Sequence, residues 1–284
     1  MLSDGLKQRR RVCGFTTHAV SKPTRSNPKA VNLHFNQTLA EAYQHQTQKI
    51  RVMSEDWMSN NGYCPNCCTP VAKVRNNEPV KDFFCPSCHE EFELKSKQRS
   101  IGSIINDGAY QTMIEKIEAR SNPNFFFLSY HKADYTVRQL MIVPQHFFTA
   151  EMIIRRKPLP PTAKRAGWVG CGINIRPLPE SGKILLVDNG VVVPPEKVQQ
   201  QWHANLFLKE QKTEKKGWLL AVMRCLDKLP EQFDLKQVYA FETELQQQFQ
   251  HNKHIQAKIR QQLQILRDQN IIEFSARGKY RKIG

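Results

Sequence analysis

The sequence predicts a mixed α/β fold followed by a three-helix module that closes on a β-hairpin. Three observations lead there. Strand-length apolar runs, at residues 124–130 and 137–143, are interspersed with helical stretches. Four of the eight cysteines fall in two close pairs early in the chain. The C-terminal end shows three helical periodicities and then two short strands around a glycine.

Composition narrows the function before any motif is read. The 284 residues include 42 Lys and Arg against 26 Asp and Glu, a formal charge of +16 that calls for a polyanionic partner. With 40% apolar residues and 15 Phe, the chain can bury the core of one large domain or two ordinary ones. No run approaches the roughly 20 apolar residues that span a bilayer, so a membrane protein is not expected. The first residues lack a secretory apolar core, and a cytoplasmic setting is expected.

In chain order, residues 1–32 carry seven basic residues and no apolar period, and read as a solvated basic extension. Residues 37–60 read as a helix stopped by Asn60-Asn61-Gly62. The cysteines follow as Cys64-x2-Cys67 and Cys85-x2-Cys88, separated by 17 residues. Two such knuckles present four thiolates that close a tetrahedral structural Zn²⁺ site, a zinc ribbon; a disulfide pair is the alternative. Cys13, Cys68, Cys171 and Cys225 fall outside the pattern, and Cys68, beside Cys67, competes for the ligand role. A helix over 104–117 and the two apolar strands complete the sheet region. Residues 155–175 then form an acid-free, proline-rich loop with Arg155, Arg156, Lys157, Lys164 and Arg165 around Trp168.

Residues 213–217 break the pattern. Helices are expected over 218–228, 235–249 and 254–268, with Ile255, Ile259, Leu263 and Leu266 as the core stripe of the third. A hairpin over 271–274 and 279–283 makes this a winged helix, whose third helix enters the major groove. From 251 to 284 there are eight basic residues against two acids. Domain limits are therefore expected at 1–32, 33–211 and 212–284.

The chemistry is concentrated at Asp82, Glu93 and Lys95, spaced D-x10-E-x-K across the second knuckle. In a strand Glu93 and Lys95 share a face while Phe92 and Leu94 point to the core. Asp82 can close a hairpin opposite, and paired hard oxygens suit Mg²⁺, with a Lys beside them to orient an attacking water. Glu and Lys also alternate on many solvated strands, which is the competing reading. Glu41 is the candidate for a further acid from the first helix.

These residues resemble the PD-(D/E)xK nuclease core. From about Leu33 onward the chain resembles the DpnI family of methylation-dependent type II restriction endonucleases. The likeness is carried by Glu55-Asp56-Trp57, Tyr63-Cys64-Pro65-Asn66-Cys67, Glu90-Glu91-Phe92-Glu93-Leu94-Lys95, Ile105-Asn106-Asp107-Gly108-Ala109-Tyr110, Asn122-Pro123-Asn124-Phe125, Arg165-Ala166-Gly167-Trp168, residues 258–268 and residues 277–282. The signature proline stands at Pro79 instead of beside Asp82. The resemblance implies Mg²⁺-dependent hydrolysis of double-stranded DNA at GATC sites carrying N6-methyladenine. Asp82, Glu93 and the Leu94 carbonyl would hold the metal, Lys95 would position water, and Cys64, Cys67, Cys85 and Cys88 would bind structural zinc.

A reader of a methylated adenine needs apolar contact in the major groove, and Trp168, flanked by Arg155, Arg156, Lys164 and Arg165, is the first candidate. In the winged helix Lys253, Lys258, Arg260, Gln261 and Gln262 are candidates for groove contact, and Arg277, Lys279, Arg281 and Lys282 for phosphates. A monomer acting on DNA is expected. A zinc-ribbon, winged-helix regulator or a structure-specific repair nuclease would share parts of this pattern.

Overall fold

A computed structural model describes residues 31–74 and 81–283. Most of the basic extension and the signature Pro79 lie outside the described residues, as does Cys13. The fold is mixed α/β with a C-terminal helix-turn-helix region, as the sequence predicts. The chain forms two compact units that interleave along the sequence. No helix among the described residues is long and apolar enough to cross a membrane.

The first unit comprises the chain through Ser100 with Phe126–Met141 and Leu185–His203. Its sheet runs in the order β1 (Ala72–Lys73), β2 (Phe83–Phe84), β3 (Glu91–Gln98), β5 (Asn124–Tyr130), β6 (Val137–Val143), β9 (Ile184–Asp188) and β10 (Val191–Val192). Every residue of β5 is buried, as befits a central strand covered on both faces. Phe83, Phe92 and Phe126 are fully buried, each contributing roughly 1.5–3 kcal/mol by leaving water. The expected first helix is shorter than its sequence window: a 3-10 turn, Gln37–Ala40, precedes α1 (Gln46–Asn61). The apolar stripe Ile50, Met53, Trp57 and Met58 faces the core at helical spacing. Gly62 ends α1 because a Cβ there would lie 2.5 Å from the Met58 carbonyl oxygen. The Trp57 indole donates to the Asn32 carbonyl at 2.7 Å, which ties that segment to α1.

An additional helix, α3 (Pro195–Ala204), buries Val198 and Trp202. Its signals were present in the sequence: a proline at the first helical position and an i, i+4 apolar pair.

The second unit holds Ile101–Phe125, Ile142–Ile184 and Ala204–Gly284. The helix expected over 104–117 is half strand: β4 (Ile104–Ala109) pairs antiparallel with β8 (Gly170–Asn174), which pairs with β7 (Ile153–Arg155). The helix α2 begins at Tyr110 and ends at Glu118. The adjacent β-branched Ile104 and Ile105 favour the ladder, Gly108 sits where its register shifts, and tertiary pairing overrides the helical spacing. The core face of this small sheet is Ile105, Ile173 and Ile153, in register across the three strands.

The C-terminal region comprises α4 (Thr213–Asp227), β11 (Gln232–Asp234), α5 (Leu235–Tyr239), α6 (Glu242–Gln248), α7 (Ile255–Asp268), β12 (Ile272–Ala276) and β13 (Lys279–Lys282). The expected middle helix is two, with a break at Ala240–Phe241, and the first starts within the stretch read as a break. A strand the sequence reading missed, β11, joins the wing in the order β11-β13-β12. Asp234 then caps α5 with a reciprocal capping box to Gln237. Ile255, Ile259, Leu263 and Leu266 are buried as expected, and Gly278 turns the wing at φ 71°.

Candidate active site and DNA-binding residues

The four cysteines come together in the first unit. Cys64 and Cys88 Sγ atoms lie 3.5 Å apart, Cys67 and Cys85 3.4 Å, and Cys67 and Cys88 3.7 Å. All four lie within 4.8 Å of one another, and Cys68 is not among them. A tetrahedral zinc with bonds of about 2.3 Å needs sulfurs roughly 3.8 Å apart, so this set could hold the ion. Both knuckles are built alike: Cys68 donates its N–H to the Cys64 carbonyl at 2.8 Å, and His89 to the Cys85 carbonyl at 2.9 Å. Cys68 and His89 each take φ 60°, the left-handed turn that folds two thiols toward one point. Burial pushes the Cys64 thiol well up, whereas Cys67, despite burial, is brought down to about 7 by hydrogen bonding with Thr69. From α3, Gln199 donates to the Asn66 carbonyl at 2.8 Å, and His203 reaches the same carbonyl at 3.1 Å, bracing the first knuckle.

The second knuckle carries the carboxylates. Asp82 precedes β2 with its backbone paired on both sides: it receives the Val74 N–H at 2.9 Å and donates to the Phe92 carbonyl at 2.9 Å. Its Oδ2 accepts the Leu94 N–H at 2.8 Å, which sets the carboxylate over the Glu93–Leu94 peptide. The other oxygen has no hydrogen bond among the described residues. Glu93 and Lys95 are half-buried and in contact, Nζ donating to Oε1. Phe92 is fully buried, and Leu94, expected beside it, is only half so.

Glu41, the expected further acid, is exposed at the end of the 3-10 turn, and the acid whose charge reaches Asp82 is Glu55, on α1. Glu55 is buried and accepts from Arg51 Nε at 2.6 Å and Lys73 Nζ at 2.8 Å. Burial opposes its ionisation, but the hydrogen bonds from Lys73 and Arg51 outweigh it and hold the carboxyl below its usual range. Asp82 is raised by burial, with the Glu55 charge adding to the rise and the Leu94 N–H and the Lys95 and Arg51 charges opposing it. Asp82, a half-buried carboxyl raised by burial and by the Glu55 charge, stands in a setting that a cation would relieve. A glutamate on the buried stripe of α1, between Met53 and Trp57, was the signal that could have found it.

In the second unit, Arg155, Arg156, Lys164 and Arg165 are exposed, and Trp168 is half-buried. The Arg165 guanidinium stacks 4.6 Å from the Trp168 ring centroid. The loop is closed at its neck: Leu159 donates to the Trp168 carbonyl at 2.9 Å and Arg156 to the Gly170 carbonyl at 3.0 Å. A Cβ on Gly170 would meet the Trp168 ring at 2.8 Å, so glycine lets the indole lie against the strand. On the outer face of the small sheet Ile104 and Ile154 are 43% and 40% exposed. These exposed aliphatic side chains were not anticipated.

The winged-helix candidates divide. Lys253 and Gln261 are exposed, and Lys258 Nζ donates to Gln261 Oε1 at 3.1 Å on the same side of α7. Arg260 donates to the Tyr239 hydroxyl at 2.8 Å and is exposed. Gln262, expected at the groove, is instead 1% exposed, because it falls on the stripe of Ile255, Ile259 and Leu266 and packs inside. On the wing Arg277 and Lys279 are exposed, Arg281 is paired with Glu273 at 2.6 Å, and Lys282 donates to the Leu229 carbonyl at 2.7 Å. Lys282 is thereby tied to the turn that follows α4. The Arg267 guanidinium lies 4.8 Å from the ring of the exposed Phe274, a pair the sequence reading passed over.

Among sequence models of known families, one for DpnI, described as the Dam-replacing family, matches residues 31–211. A second, for the Dam-replacing HTH domain, matches residues 214–282.

Proposed function

The chain belongs to the Dam-replacing DpnI family, and from that membership we infer that it is a methylation-dependent restriction endonuclease that hydrolyses double-stranded DNA at N6-adenine-methylated GATC sites. The family supports the restriction-type function. The observation that carries the chemistry is the Asp82 carboxylate, hydrogen-bonded to the Leu94 N–H and so aligned with the Glu93-x-Lys95 strand.

In this reading Asp82, Glu93 and the Leu94 carbonyl would hold Mg²⁺, which would supply charge stabilisation for phosphodiester hydrolysis. Lys95, an ammonium beside Glu93, orients the attacking water and stabilises negative charge gathering on the phosphate. Glu55 keeps Arg51 and Lys73 turned toward the site, and its buried charge sets the electrostatics around Asp82. Zinc on Cys64, Cys67, Cys85 and Cys88 would lock the hairpin that aligns Asp82 with β3. The matched segments support a nuclease domain over 33–211 and a winged-helix domain over 212–284. Lys253, Lys258, Arg260 and Gln261 would face the major groove, Arg277, Lys279 and Arg281 the phosphates, and Trp168 with Arg155, Arg156, Lys164 and Arg165 the methylated step.

The test is a paired assay on purified variants. Asp82→Ala and Lys95→Ala are expected to lower single-turnover cleavage of methylated duplex by about a thousandfold or more while binding it within a few-fold of wild type. Wild-type cutting rates in either variant would refute the assignment.

A further inference from the structure

A cavity of about 190 Å³ in the second unit is lined by Arg120, Asn122, Gln145, His146, Lys209 and Lys216 along with two apolar side chains, and among the described residues no acid lines it. It has room for about six waters at roughly 30 Å³ each, or for one tetrahedral oxyanion. Lys216 decides its character. It is only 7% exposed, and among the described residues its ammonium has no ion pair or hydrogen bond. Buried charges are ordinarily paired, because an ammonium taken from water without a counter-ion is strongly disfavoured.

The surroundings make the burial worse for a cation. Lys216 sits in the first turn of α4, where the helix dipole repels positive charge and attracts negative. The Arg120 charge adds to burial in pushing the Lys216 ammonium toward its neutral form. His146 is 3% exposed, and burial, with Lys209 and Lys216 nearby, pushes its imidazole down to about 3, so the ring is neutral near pH 7. Asn122 Nδ2 donates to the Gln145 carbonyl at 3.2 Å, holding the polar wall in place. A buried ammonium with no partner, beside Arg120 and in a cavity that no acid lines among the described residues, is a setting that an anion would satisfy.

We propose that Lys216 and Arg120 line an oxyanion pocket that takes a phosphate group. The group is either free inorganic phosphate or a phosphate of a bound DNA backbone, and one set of variants tells them apart. Full-length wild type, Lys216→Met and Arg120→Gln are melted and titrated calorimetrically with inorganic phosphate at constant ionic strength, with chloride as control. Each protein's duplex affinity is also measured as a function of salt.

If the site takes free phosphate, the wild-type Tm rises with phosphate by mass action, and binding weakens about tenfold or more in Lys216→Met and about threefold in Arg120→Gln. If it takes a backbone phosphate, free phosphate has no effect and the slope of log affinity against log salt falls by about one in both variants. The proposal is overturned if the variants respond to phosphate as wild type does, or if phosphate has no effect and the salt slope is unchanged. Arg120 is exposed, so its replacement leaves the fold intact and keeps the test decisive should Lys216→Met misfold. None of these readouts depends on cleavage.

Discussion

Glu55 joins two functions at one position. Its carboxylate is buried between Arg51 and Lys73 and sits within electrostatic reach of Asp82. Glu55→Gln is expected to slow cleavage about tenfold or more and to lower stability by about 1–3 kcal/mol, because two cations lose their charged acceptor. Single-turnover cleavage and a thermal melt check both, and a variant with wild-type rate would remove Glu55 from the site. His146 sets a pH dependence of its own. Its folded value, about 3, lies below the unfolded value of about 6.5, so the unfolded chain takes up the proton first as pH falls. Stability is therefore full above that unfolded value and declines by about 1.4 kcal/mol per pH unit below it, down to the folded value. His146→Gln is expected to flatten the acid side of a stability-against-pH curve from chemical denaturation. An unchanged slope in the variant would show that His146 is not the group responsible.

At the level of elements, the hairpin between the two knuckles carries the most consequence. Its strands are two residues long at β1 and β2 and cannot hold register by pairing alone. The thiol cluster and the buried Phe83 and Phe92 set the alignment of Asp82 with β3. Cys85→Ser, or removal of zinc with a chelator, is expected to abolish cleavage and to destabilise the first unit by several kcal/mol. Metal content by atomic spectroscopy together with a melt tests this, and a variant that loses metal but keeps both Tm and activity would contradict it.

The elements also show what was legible beforehand. Cysteine spacing announced the cluster because four ligands at fixed intervals have few structural uses, and D-x10-E-x-K was legible because strand alternation is local. The helix expected over 104–117 failed because β4 is defined by its partner β8, about 65 residues away in sequence, and no local periodicity records a distant partner. Gln262 failed for the opposite reason: its type suggested a groove contact while its position in the stripe already placed it inside. Glu55 required knowing which face of α1 is buried. That face could be read from the spacing of Ile50, Met53, Trp57 and Met58.

Over the whole molecule, the proposed function gives one role to the net charge of +16, the helix-turn-helix end with exposed Lys253, Gln261 and Arg277, and the aligned Asp82, Glu93 and Lys95. The charge brings a polyanion to the protein and makes its affinity strongly salt-dependent. In the proposed function the exposed polar side chains of α7 and the stacked Arg165–Trp168 pair would read a base, and the carboxylates would serve to cut the chain. A regulator would use the first two and leave the third idle. The measurement that separates these is a digest of one plasmid, prepared with and without adenine methylation at GATC, by the purified protein with Mg²⁺. Discrete fragments with GATC spacing from the methylated plasmid alone are the expected result. Equal cutting of both plasmids would contradict the methyl-dependent specificity, and no cutting of either, with DNA binding intact, would contradict the nuclease itself.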